Sequence, residues 1–450
     1  MRESAAAFVF PSERLAAHFS EPEIAMSEAT SNLQPIREPV LDLSNEPLAT
    51  LDVSNPRLYE QDTWGKVFAR LRKEDPVHYC ANSRFGAYWS VTKFNDIMTV
   101  DTNPTVYSSE PTIVIGDPPP DFVIENFISM DAPKHDLQRR AVQPSVAPRN
   151  LAQLEGLIRQ RAGAILDSLP IGETFNWVDK VSIELTIQML ATLFNFPWEE
   201  RRKLAYWSEL STASEEQTGV DLYPEAERQA GLMECLAYFN ALIEERARQP
   251  AGESLDFLSI LAHDANTKDM PKRPMEFLGN VMLLIVGGND TTRNSISGGV
   301  VALNENPAEY AKLRANPGLI TNMVSEMVRW QTPVIHMRRT ATQDTVLGGK
   351  QIHKGDRVVM WYLSGNRDSD AIDRPDEFII DRPNARHHLA FGFGPHRCMG
   401  NRLAEMQLRV LWEEIMQRFD NIEVVGPVER LRSNFIRGIT SVPVRLHAKR

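Results

Sequence analysis

Between Asn401 and Phe419 the apolar side chains of Ala404, Leu408, Leu411, Ile415 and Phe419 return every three or four positions, the spacing of one face of an amphipathic helix. The same period marks 150–169, 183–197 and 225–249 as helices. A longer run, "PMEFLGNVMLLIVGGNDTTRNSISGGVVALNENP" (274–307), is bounded by prolines and predicts a single helix about 50 Å long at 1.5 Å per residue. Strand-like runs are fewer. Residues 78–92 and 346–362 carry glycine between β-prone stretches and read as hairpins, and 441–448 reads as a C-terminal strand. The expected fold class is therefore mainly α with a minor β part. Residues 107–131 hold four prolines among many aliphatic side chains, so they cannot form one regular helix. An apolar loop of that length either packs on the core or lines a site. Residues 1–45 are polar and interrupted by proline, which predicts a loosely attached arm. No linker divides 46–450, which reads as one domain.

Composition narrows the class. The chain has 450 residues, 42% hydrophobic and 24% charged, as soluble globular proteins do. Its net charge of −11 argues against nucleic-acid binding, which needs a basic face. The central apolar run "VMLLIV" (281–286) falls far short of the roughly 20 residues of a membrane span. Cys80, Cys235 and Cys398 are odd in number and far apart, so they make no disulfide framework, and a cytoplasmic location is expected.

One cysteine stands in unusual company. "FGFGPHRCMG" (391–400) places Cys398 after a glycine-rich loop and just ahead of the helix that begins near Asn401. Gly392 and Gly394 can take backbone angles closed to other residues and let the chain approach a flat partner. Free N–H groups at the helix start favour a thiolate there. Such a thiolate serves as a nucleophile if a base such as His396 assists it, or as a metal ligand. Zinc needs further Cys or His ligands at suitable spacing, and none lies nearby. A lone thiolate suits a metal whose other ligands come from a macrocycle.

The segment resembles the haem-binding loop of the cytochrome P450 family, Phe-x-x-Gly-x-His/Arg-x-Cys-x-Gly, at every fixed position. The resemblance covers roughly 50–450 and implies the family's triangular helical domain with small β-sheets. It also implies haem b with Cys398 as the axial metal ligand, and with Phe391 and Gly392 beside the sulfur. Glu326 and Arg329 form an E-x-x-R pair on one helix face, a spacing worthless alone because Glu199–Arg202 and Glu245–Arg248 share it. The family's E-x-x-R pair meets a later arginine, here Arg382 in "PDEFIIDR", which implies a structural Glu326–Arg329–Arg382 network. Propionate partners implied in the same way are His135 and Arg139 in "HDLQR", then Arg339 and His396. Arg338 stands as a second candidate beside Arg339, and Val146 occupies a position where the family commonly has Phe.

"GGNDTT" (287–292) matches the family's Ala/Gly-Gly-x-Asp/Glu-Thr motif. Glycine inside a helix costs about 1 kcal/mol relative to alanine. Gly287 and Gly288 therefore imply either close helix contact or room for dioxygen. Asp290 and Thr291 match the acid and alcohol that deliver protons for reductive dioxygen cleavage. The implied activity is insertion of one oxygen atom into a C–H bond. Electrons are expected from NAD(P)H through a flavoprotein ferredoxin reductase and a ferredoxin. The long-helix and 401–415 wording is similar to that of bacterial terminal hydroxylases of alkanes and fatty acids. The alternatives are a hydroxylase of a cyclic terpene or steroid and, in another class, a non-catalytic haem-binding sensor. Candidate pocket residues are Ile113, Val114, Ile115 and Phe122 on the apolar loop, then Leu283, Leu284, Val334, Ile335, Phe435 and Ile436.

Overall fold

Pro274, with its fixed φ and missing N–H, suits a first helical turn. It opens the longest helix, Pro274–Glu305, close to the 274–307 predicted from its proline boundaries. The computed structural model describes residues 38–449 apart from 121, 253 and 255. Contacts gather the chain from Leu41 onward into one unit. The arm expected over 1–45 lies mostly outside the described residues, although Leu41 and Leu43 already pack on the body.

The long helix is packed by Glu184–Phe194, Arg202–Thr212 and Ile320–Gln331. The last of these continues into Thr332, whose φ of 42° is strained for a β-branched residue. The strain is held by local bonds. The Thr332 N–H bonds the Val328 carbonyl at 2.9 Å, its hydroxyl donates to the Arg329 carbonyl at 2.6 Å, and Asn366 Nδ2 donates to that hydroxyl at 2.9 Å. The turn made there sends the chain directly into Pro333 and Val334 beneath the long helix. Asn195 performs a simpler stop at φ 49°, ending Glu184–Phe194 with N–H bonds to Ala191 and Thr192 carbonyls.

The β part is divided. A five-stranded sheet has the order Val77–Cys80, Tyr88–Val91, Arg357–Met360, Met337–Ala341, Tyr107–Ser108. Its first two strands are the predicted 78–92 hairpin, paired His78 to Ser90. The 346–362 segment differs from expectation. Only Thr345–Leu347 and Lys350–Ile352 pair as a hairpin, while Arg357–Met360 leaves to run parallel to Tyr88–Val91. Val358, Val359 and Met360 are buried on both faces, which a central strand satisfies and an exposed hairpin arm does not. Pro443–Ala448 is the C-terminal strand, between Phe419–Val424 and Thr174–Asn176.

One buried network ties helix to loop. Both carboxylate oxygens of Glu326 receive Arg329, from Nε and Nη2 at 2.8 Å each, and Arg382 Nε adds a third contact at 2.9 Å. Arg329 Nη1 reaches the Asn366 and Pro375 carbonyls at 2.8 Å. A buried ion pair survives only when its remaining hydrogen-bonding groups are satisfied, as these are.

Candidate functional site

Where the Cys398 loop meets the long helix, a cavity of about 430 Å³ opens inside the fold. Cys398 lines it, whereas Cys80 and Cys235 are buried in the core. The loop is shaped by its glycines. Gly394 sits at φ 65°, and a Cβ there would lie 2.2 Å from the Asp101 carbonyl oxygen. The Cys398 N–H donates to the Phe391 carbonyl at 2.8 Å, closing the loop ahead of the helix Asn401–Arg418. Cys398 is open to the cavity, and desolvation within the fold pushes its thiol pKa up. Backbone N–H groups of Gly400 and Asn401, with Arg139 and Arg397, pull it back towards thiolate.

Asp101, which nothing local in the sequence marks, holds this region together. Its carboxylate accepts from Arg339 Nη2 at 2.9 Å, the Tyr362 hydroxyl at 2.9 Å and the Phe393 N–H at 2.8 Å. Burial pushes its pKa up, opposed chiefly by the Arg339 guanidinium. Arg339 lines the cavity and Arg338 does not. Neighbours on a strand face opposite ways, and Arg338 turns to Asp117 at 2.7 Å and to the Ile115 and Gly116 carbonyls. Arg139 also lines the cavity, with its guanidinium donating to the Arg397 carbonyl. His135 lies just behind, its ring 4.1 Å from that of His396. His396 Nε2 is 2.9 Å from the Ser109 hydroxyl, a partner the sequence offered no sign of. Burial lowers the pKa of both histidines, and for His396 the Arg339 charge adds to the effect.

The long helix brings its motif to the same space unevenly. A Cβ on Gly287 would meet nothing within 4 Å, while one on Gly288 would lie 2.7 Å from Leu190 Cδ2. Both glycines line the cavity, but Gly288 is also pressed by a neighbouring helix while Gly287 has open space beside it. Thr291 lines the cavity and donates its hydroxyl to the Gly287 carbonyl at 2.9 Å. Asp290 does not line it. Successive helix residues point about 100° apart, and the Asp290 carboxylate turns to Ser208 Oγ at 2.9 Å and Arg293 Nη2 at 2.8 Å. The expected acid–alcohol pair is therefore split between two faces.

Most of the remaining wall is apolar, interrupted by hydroxyls such as Ser211, Thr212 and Ser295 and by the amides of Gln217 and Gln407. Ile113, Val114, Leu283, Leu284, Val334, Phe435 and Ile436 line it. Ile115, Phe122 and Ile335 were expected there and do not. Ile115 and Ile335 are buried among Leu51 and Trp361, because each follows an inward-facing neighbour in extended chain and so points the other way. Phe122 packs instead on the helical core. Backbone bonds clip the wall segments together: Ile335 N–H to the Phe435 carbonyl at 2.8 Å, and Arg338 N–H to the Ile113 carbonyl at 2.7 Å. His336 braces them, receiving the Ile115 N–H at Nε2 and bonding the Asn434 carbonyl through Nδ1 at 2.9 Å. Burial holds its pKa down at about 4, so the ring is neutral at neutral pH.

The family model for Cytochrome P450 matches residues 226–443. Linalool 8-monooxygenase of Pseudomonas putida is 36% identical over 409 residues, covering 88% of this chain and 99% of the relative. Cytochrome P450-153 from Novosphingobium aromaticivorans superposes with a TM-score of 0.81 at 44% identity, covering 88% of this chain and 99% of its own. CYP153D17 from Sphingomonas sp. gives 0.82 at 45% identity, with 88% and 98% covered. The chain belongs to the cytochrome P450 family, whose members are haem-thiolate monooxygenases.

The residues around the cavity fit haem. His135 Nε2 and His396 Nδ1 are buried without a protein partner, as donors kept for a propionate are. Arg139 and Arg339 add positive charge at the same edge. Among the described residues no three His, Cys, Asp or Glu side chains gather to hold a bare ion, so a metal at Cys398 must bring its own further ligands. No helix among the described residues is long and apolar enough to cross a membrane.

Proposed function

We propose that Cys398 holds the haem iron as a thiolate. Arg139, Arg339, His135 and His396 take the propionates, with Phe391 and Gly392 packed beside the sulfur. Bound there, haem supplies dioxygen activation: with two electrons and two protons, one oxygen atom enters a C–H bond and the other leaves as water. The chain's own residues set the conditions. Gly287 leaves room on the cavity side of the long helix, and the Thr291 hydroxyl holds a proton at that surface. Asp290 stands behind it, joined to Ser208 and Arg293, one helix position from that hydroxyl. The Glu326–Arg329–Arg382 network is structural. Electrons come from NAD(P)H through a ferredoxin reductase and a ferredoxin in the cytoplasm.

The substrate reading is terminal hydroxylation of medium-length alkanes or fatty acids. A terminal methyl C–H is stronger than the methylene bonds beside it, so selectivity for the chain end has to come from positioning. The observation carrying this reading is the aliphatic wall built by Ile113, Val114, Leu283, Val334 and Ile436. It suits an alkyl chain held by burial alone. Each methylene buried contributes about 0.8 kcal/mol, so dissociation constants fall about fourfold per carbon until the cavity is filled. The relative named for linalool favours a second reading, a terpene substrate. A haem spin-shift titration with unbranched alkanes and fatty acids, with linalool and with cyclic terpenes and steroids, followed by gas chromatography of products, separates the two. Primary alcohols from unbranched chains are expected; internal alcohols, or turnover of terpenes or steroids alone, would overturn the terminal reading.

A further inference from the structure

Two glutamines line the cavity with their side-chain carbonyls unpaired: Gln407 on the helix Asn401–Arg418 that follows the cysteine, and Gln217, which stands apart from that helix. Gln217 lies in the short helix Glu215–Thr218, within the segment that joins Arg202–Thr212 to Glu225–Arg248. Its main chain is fixed: the Asn434 N–H donates to the Gln217 carbonyl at 3.1 Å, next to Phe435 and Ile436. A neighbouring contact seats the same helix. The Glu216 carboxylate lies so close to Gly116 that a Cβ there could not fit, which brings the short helix against the loop carrying Ile113 and Val114. Gln217 lines the cavity, and its side-chain Oε1 is buried with no hydrogen-bond partner.

A buried acceptor without a donor is costly, and a ligand that supplies the donor recovers that cost. The cationic side chains lining the cavity are Arg139 and Arg339. Both are committed to the cysteine loop, one through the Arg397 carbonyl and the other through Asp101, which also holds Phe393. The wall around Gln217 has hydroxyls, the amide and aliphatic groups. An ionised carboxylate enclosed there meets no other cationic side chain of the lining, since Arg84 and Arg338 beside the short helix are spent on the Glu215 carbonyl and on Asp117, and burying it unpaired is expensive. A hydroxyl brings the donor that the Gln217 carbonyl lacks.

We propose that Gln217 is a specificity-determining residue that reads the substrate end remote from the reacting methyl. The site then takes linear chains whose far end is a neutral hydrogen-bond donor, primary alkanols above all, in preference to carboxylates of the same length. This rests on the terminal-hydroxylase reading and sharpens it: hydroxylating the free methyl of a 1-alkanol consumes dioxygen, two electrons and two protons and yields an α,ω-diol and water.

The test uses haem-loaded full-length protein with decane, 1-decanol and decanoate as probes. Spin-shift dissociation constants are measured for wild type, Gln217→Leu and Gln217→Arg, each first checked for an intact carbon monoxide difference spectrum. The ratio of decanol to decane affinity, compared between wild type and Gln217→Leu, cancels differences in solubility. Loss of one neutral hydrogen bond predicts a fall of about fivefold in that ratio. Wild type is expected to bind decanol more tightly than decanoate, and Gln217→Arg to narrow or reverse that order. An unchanged decanol-to-decane ratio in Gln217→Leu overturns the proposal, as does tighter binding of decanoate than decanol by wild type. The position of oxidation in decane is scored separately, so failure of the terminal-hydroxylase reading is seen independently of Gln217.

Discussion

At the scale of single residues, the sulfur open to the cavity is distinguished from its two relatives by environment alone. Cys235 is buried beside Met282 and its pKa is pushed far up by burial, and Cys80 is raised to about 11 for the same first reason. Neither is placed to meet a ligand. Cys398→His is expected to lose the red-shifted Soret band of the ferrous carbon monoxide complex, while Cys80→Ser and Cys235→Ser keep it; difference spectra decide. The split between Thr291 and Asp290 predicts two unlike phenotypes. Thr291→Ala removes the hydroxyl at the cavity and should divert much of the NADH consumed into hydrogen peroxide. Asp290→Asn leaves the cavity surface intact but weakens the pairing with Arg293. It should slow turnover by about tenfold or more, within the range for a general acid–base group. Peroxide-to-product ratios for the two variants make the comparison, and equal ratios in wild type and Thr291→Ala would remove the hydroxyl from the scheme.

At the scale of an element, the long helix accepts two glycines in succession for different reasons. Replacing Gly287 by alanine adds a methyl where nothing stands within 4 Å, and it should gain up to about 1 kcal/mol of helix stability. The same methyl occupies the cavity, so product formed per NADH is expected to fall. Gly288→Leu drives a large side chain into Leu190 and should lower the melting temperature by several degrees, since overpacking costs about 1–3 kcal/mol. Thermal denaturation and coupling efficiency, measured together, must move in opposite directions for the Gly287 variant. A lowered melting temperature in Gly287→Ala would show that this position too is filled by packing.

At the scale of the whole molecule, an acidic chain presents arginines near its cysteine loop. Arg140 and Arg402 are exposed there. Arg409, on the same helix as Arg402, is held by Glu155 and Glu413 at 2.8 Å each and is the weaker candidate. Charge reversal at Arg140 or Arg402 should slow reduction by an acidic ferredoxin, most at low salt where screening is least. Arg409→Glu should act less through docking than through its lost helix pairs. Stopped-flow reduction at two ionic strengths reads the difference, and equal rates in all variants would move the docking surface elsewhere.

The loop 391–400, the long helix and the E-x-x-R pair were legible in the sequence because each is written in consecutive or helically spaced residues whose geometry is local. Glycines that permit φ near 60°, a cysteine next to a helix start and prolines at helix ends constrain the chain wherever it folds. Which neighbour of a pair turns inward was not legible. Arg339 rather than Arg338, Val334 rather than Ile335, and Thr291 rather than Asp290 face the cavity. A periodic pattern places residues relative to one another on a strand or helix but leaves open which face meets a space and which meets protein. That choice is made by partners far along the chain. Asp101, 238 residues before Arg339, draws that guanidinium to the cysteine loop, while Asp117 turns Arg338 away. Gln217 is likewise silent in sequence. Its side chain lines the cavity only because Asn434 and the loop through Gly116 hold the short helix in place, and burial, which leaves its carbonyl oxygen without water, arises only in the folded chain.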